Sequence, residues 1–157
     1  MLINVLTFVY SLFTIAWMPN NAPLYSSLTL FAEIVISAII YYTIYQGYKN
    51  NKFLTKLATF ALSYEIIFNI SYMVYRTFTH KETVPHPPAV IALAAIHGSL
   101  SLLMFLSLIV FFVLAWKNYK KGLNFFKDHR NLTLVFLIFW TFSVVSGIIF
   151  YFVEYLL

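Results

Sequence analysis

The chain has 157 residues, 62% of them hydrophobic and 10% charged, with a mean hydropathy of +0.84 and a formal net charge of +5. A water-soluble domain keeps roughly 25% charged residues to wet its surface, so a soluble enzyme or binding domain is excluded, as is any separate polar domain. Cysteine is absent, which removes disulfides, thiolate metal sites and a cysteine nucleophile.

The composition predicts an all-α fold: one transmembrane helical domain over residues 1–157, an integral membrane bundle of about five spanning helices. Five apolar segments have that character, where roughly 18 residues suffice to span. They run from Met1 to Trp17, Ser27 to Tyr48, Phe53 to Phe78, Ala89 to Trp116 and Leu132 to Leu157. The first has no Lys or Arg before its apolar run and no small-residue cleavage site after it, so it is read as a retained helix and not a signal peptide. Pro19, Asn20, Asn21 and Pro23 separate it from the second segment. Lys49-Asn50-Asn51-Lys52 closes the second, and His80 to Pro88, with three prolines, ends the third. The stretch from Lys117 to Arg130 reads as a basic, partly polar connection.

Basic residues are unevenly shared among these connections. The second and fourth carry Lys49, Lys52, Lys56, Lys117, Lys120, Lys121, Lys127 and Arg130, whereas the third has Arg76 and Lys81 and the first has none. The positive-inside rule then predicts a plasma-membrane protein with a cytoplasmic N-terminus and an external C-terminus. The same placement makes the cations a topology signal, so the partners expected are membrane lipid and other integral membrane subunits, not nucleic acid.

Charged groups inside a bilayer are costly and usually face the bundle interior. Within the spans stand Glu33, Glu65, His97 and Glu154, each with polar neighbours at helical spacing. Glu65, Asn69, Tyr72 and Arg76 share one face of the third segment, and Glu33, Ser37 and Tyr41 one face of the second. His97 and Ser101 align on the fourth, above Met104. Trp140, Ser143, Gly147, Tyr151 and Glu154 form a stripe on the fifth. Two roles are open for these stripes. They hold helices together through hydrogen bonds and small-residue packing, or they line a cofactor-bearing interior.

His97 lies roughly 12 Å from the outer end of its helix at 1.5 Å per residue. His80 and His86 fall in the loop on the same side, so His80, His86 and His97 could converge on a metal, and His80 is the partner nominated for a bis-imidazole haem with His97. Met73 and Met104 are weaker axial candidates, and His129 is at the opposite end. Solvated loop histidines with one packed core histidine is the alternative reading. No phosphate-binding loop, zinc-protease motif or nucleophile elbow is present, and no nucleophile–base pair is apparent, so no catalytic residue is assigned and catalysis by the chain itself is not expected.

In the fifth segment His129-Arg130, Trp140, Ser146, Gly147 and Tyr151 stand as H-R-x9-W-x5-S-G-x3-Y. This resembles the C-terminal signature of the CtaM-type small multi-helix membrane proteins, a family linked to haem–copper oxidase maturation. The helix holding His97 is similar to the family's helix with one embedded histidine, and Ile70-Ser71-Tyr72 and Ala22-Pro23-Leu24 resemble two further stretches. The likeness covers about residues 22–157. It departs at Asn50-Asn51-Lys52 and at Arg76, where the family has histidines, and at Ile138, where it has proline, so the chain looks like a divergent member. The resemblance implies an accessory subunit or assembly factor of a respiratory, oxidase-type complex. A haem- or copper-binding protein using His97 and His80 is the alternative, and a small channel or transporter lined by Glu33 and Glu65 a further one.

Overall fold

The structure, a computed structural model, describes residues 24–79 and 87–156. Every regular element among them is a helix: α1 (Leu24–Asn50), α2 (Thr55–Thr79), α3 (Pro88–Lys120), α4 (Phe125–Asp128) and α5 (Arg130–Leu156). The four long helices correspond to the second to fifth apolar segments. The expected helix over Met1–Trp17 lies outside the described residues.

Three of the helices, α1 from Ser26, α3, and α5 as far as Tyr155, are long and apolar enough to cross a membrane. Their apolar character runs around the whole circumference, so residues such as Ile96, Leu103, Val110, Ile138 and Phe142 are exposed. Such a surface suits hydrocarbon and not water. Three of the expected spans thus have the length and apolar character to cross a membrane among the described residues. The helix α2 forms as expected and is 25 residues long, but Lys56, Glu65, Asn69 and Arg76 dilute its apolar run, and it is not one of the three.

Helix contacts close a ring in which α1 packs on α2, α2 on α3, α3 on α5 and α5 back on α1. The first three contacts join helices consecutive along the bundle, as short connections require. One end of the ring is plugged by α4, which touches α1, α3 and α5. This helix adds to the expected elements, because the stretch from Lys117 to Arg130 reads in the sequence as a basic, partly polar connection. Phe125 and Phe126 within it are buried, and a four-residue helix is too short for a hydrophobic period to reveal it.

The turn into α4 is built from defined parts. Gly122, at φ 76°, ends α3. Its N–H donates to Tyr119 O at 3.0 Å and Leu123 N–H to Asn118 O at 3.1 Å, the paired bonds of a Schellman cap, in which glycine carries the left-handed residue without a Cβ penalty. Asn124 then caps α4, its Oδ1 accepting from Lys127 N–H at 3.1 Å and from the Tyr119 hydroxyl at 2.7 Å, while its Nδ2 donates to Gly47 O at 3.0 Å. Above this turn the Phe111 ring stacks on Phe136 at 4.4 Å and meets Phe125 edge-on at 5.2 Å. The core continues from these aromatics through Leu108, Ile40 and Ile44 to Met104.

Candidate functional site

The end of the bundle opposite α4 is polar inside. It is held by bonds that converge on α5. Tyr151 and Ser27 hydroxyls lie 2.6 Å apart, and those of Tyr155 and Ser26 3.1 Å apart. Deeper in, Trp140 Nε1 donates to Ser37 Oγ at 3.1 Å, and the Tyr41 hydroxyl pairs with Thr141 Oγ1 at 2.8 Å. From α3, His97 Nδ1 is 2.9 Å from Ser146 Oγ. Gly147 makes this last approach possible, for a Cβ there would come within 2.8 Å of His97 Cε1.

One placement of the protons satisfies both contacts of the Ser146 hydroxyl. Ser146 Oγ–H donates to the Ser143 carbonyl at 2.7 Å, and a hydroxyl has one proton to give. Its oxygen therefore accepts from His97 Nδ1–H, so the imidazole lone pair is at Nε2. In that arrangement the imidazole donates to the hydroxyl, the reverse of a base that takes a nucleophile's proton.

A cavity of about 260 Å³ lies among α1, α2, α3 and α5, lined by Glu33, Asn69, His97, Ser101, Phe150 and Tyr151, among others. Glu65, on α2, is buried beneath it, with Asn69 Nδ2 donating to its carbonyl at 2.8 Å and to its carboxylate at 3.2 Å. Glu33 on α1 is within electrostatic reach of Glu65. With its amide nitrogen so engaged, Asn69 offers an acceptor oxygen. The Phe150 ring stacks on His97 at 6.1 Å.

The stripes read from the sequence thus meet at one place. Glu33, Glu65, Asn69, His97, Ser143, Ser146, Gly147 and Tyr151 come together around the cavity or its wall, and Trp140 lies one layer below. Glu154 is half-buried further along α5. Tyr72 and Arg76 belong to α2, but their side chains lie outside the described residues, as do His80 and His86 entirely. His129 is at the opposite end, exposed, its ring stacked on Phe125 at 4.8 Å and Nδ1 donating to Phe125 O at 3.2 Å. Met104 is buried in the core. Ser26, Ser27, Thr141 and Tyr155 carry interhelical bonds that spacing did not single out, because hydroxyls are common on both faces of apolar helices.

Among the described residues no three His, Cys, Asp or Glu side chains cluster in a way that could hold a metal ion, and His97 is the cavity's one imidazole. The cavity volume is below the roughly 300–1,000 Å³ usual for drug-sized ligands. These residues alone do not make a haem or copper site. No protein-family model, no curated protein and no solved structure matches the chain.

Proposed function

We propose that this chain is an accessory subunit or assembly factor of a membrane-bound respiratory complex of the haem–copper oxidase type. It works by helix–helix association in the plasma membrane, with its N-terminus cytoplasmic and its C-terminus outside. The observation that carries the associative part is the use made of the polar interior. The hydroxyl, indole and imidazole bonds described above between long helices all end on α5, so this part of the interior serves to hold one helix in place. The outward faces of α3 and α5 stay apolar and available to lipid or to neighbouring helices. The link to an oxidase rests on the resemblance along α5, whose Trp140, Ser146, Gly147 and Tyr151 are among the residues so engaged. Its partners are other integral membrane subunits.

Tagged protein extracted in mild detergent should bring down oxidase subunits, and deletion of the gene should lower the amount of mature oxidase. Recovery of the chain alone, together with unchanged oxidase in the deletion strain, would overturn the reading.

The lone pair on His97 Nε2 favours a second reading, a haem- or copper-binding membrane protein in which His97 is one ligand and His80 the other. An optical spectrum of the purified protein separates the two: a Soret band supports this reading for haem, and metal analysis does so for copper.

A further inference from the structure

A second cavity is found at the other end of the bundle, between α2 and α3. It measures about 280 Å³ and is almost wholly apolar. Ala58 and Leu62 line it from α2, Phe112 and Trp116 line it from α3, and Phe53 lines it from the connection before α2. From Thr55 to Leu62 the groove runs roughly 10 Å along the helix at 1.5 Å per residue. A groove of this shape leaves its walls without dispersion contacts unless something apolar fills it.

The mouth is basic. Lys52 precedes Phe53, Lys56 follows Thr55, and Lys117 follows Trp116, all three exposed. The Lys120 ammonium sits 3.8 Å over the ring of Trp116, one of the groove's lining residues. Asp128 is the one acidic residue in the described connections at this end. Apolar walls with lysines at the rim, and a Trp where hydrocarbon meets water, match an amphiphile with one acyl chain in the groove and a negative headgroup above it.

We propose that this groove binds one acyl chain of an anionic phospholipid whose phosphate is held by Lys52, Lys56, Lys117 and Lys120. The site is separate from the His97 cavity and does not depend on the oxidase reading.

Native mass spectrometry of the full-length chain tests this, using mixed micelles with equal amounts of phosphatidylglycerol and phosphatidylcholine. The wild type should retain one phosphatidylglycerol with a preference of at least about tenfold, since each lysine near an anionic headgroup contributes roughly a fivefold factor. Lys56→Gln with Lys120→Gln should reduce that preference several-fold. Thr59→Trp, made at an exposed position on the groove wall, should abolish retention of either lipid while the lysines stay. All three residues are exposed, so the fold is not at stake. Equal retention of both lipids by the wild type would overturn the proposal. So would an undiminished phosphatidylglycerol preference in Thr59→Trp, which would show that the lysines hold a phosphate with no chain in the groove.

Discussion

At Gly147 a methyl group would meet the edge of the His97 imidazole, with Cε1 at 2.8 Å and Nε2 at 3.3 Å. That ring is pinned by Ser146 on one side and stacked on Phe150 on another, so it has little room to give. Gly147→Leu should lower the thermal midpoint in detergent by the equivalent of about 1–3 kcal/mol, the usual range for overpacking, and Gly147→Ala by less. An unchanged midpoint for Gly147→Leu would remove the close-contact role of α5. His97→Gln keeps a donor for Ser146 and approximates the size of the ring. Under the accessory reading it should leave copurification and oxidase level unchanged, whereas loss of a bound chromophore or metal in that variant would favour the carrier. Thr43 presents the opposite situation. It is fully buried, and its hydroxyl has no hydrogen-bond partner among the described residues, a situation that costs about 1–3 kcal/mol. Thr43→Val keeps the shape and removes that group, so the midpoint should rise; a fall would mean that the hydroxyl is bonded in the folded protein.

Among the elements, α4 depends most on a single fit. The Phe126 ring lies against α1 at Gly47, where a Cβ would come within 2.5 Å of Phe126 Cδ2 and 2.9 Å of the Tyr119 hydroxyl. Phe126 is fully buried among Phe53, Phe111, Tyr119 and Phe125, so it has nowhere to move. Gly47→Ala should therefore destabilise the plugged end of the bundle, seen as faster hydrogen exchange across residues 119–133. Exchange unaltered from the wild type would show that α4 can shift. Asn124→Ala removes a cap from α4 and a bond to α1 together. The cap alone is worth about 1 kcal/mol, and the loss should exceed that figure because Gly47 O and the Tyr119 hydroxyl also lose their partner. Little of this was legible beforehand. The glycine at 47 and the asparagine at 124 look ordinary in an apolar, loop-punctuated chain. Only the packing of a short helix across the bundle end shows what they do. The stripe on α5 was different: Trp140, Ser143, Gly147 and Tyr151 lie on one inward-facing band, as their spacing predicted, because helical geometry alone decides which of them share a face.

For the molecule as a whole, the charge distribution makes orientation testable. Lys49, Lys52, Lys56, Lys117, Lys120, Lys121, Lys127 and Arg130 all gather at the end closed by α4, since α1, α2, α3 and α5 meet there by their adjoining termini. If that end is cytoplasmic, a C-terminal reporter that works only in the cytoplasm should be silent, and one that works only outside should be active. The reverse pattern would invert the proposed topology and place the His97 cavity nearer the cytoplasm.

Composition and order of residues by themselves determined that the described residues are helical, where their four long helices run, and which polar residues share a face. The reason is that backbone groups in an apolar setting must be satisfied within each segment, so a long apolar run bounded by proline, asparagine or lysine has essentially one local solution. The departure came where periodicity does not decide, at α4, which is too short to carry a period. The tertiary structure decided which polar groups meet. Trp140 pairs with Ser37, Tyr151 with Ser27, and His97 with Ser146, although many other hydroxyls were at similar depth. Those choices depend on the rotation and height of each helix against its neighbour. Close contacts such as Gly47 on Phe126 and Gly147 on His97 set that rotation and height, and they exist only once the ring of helices has closed.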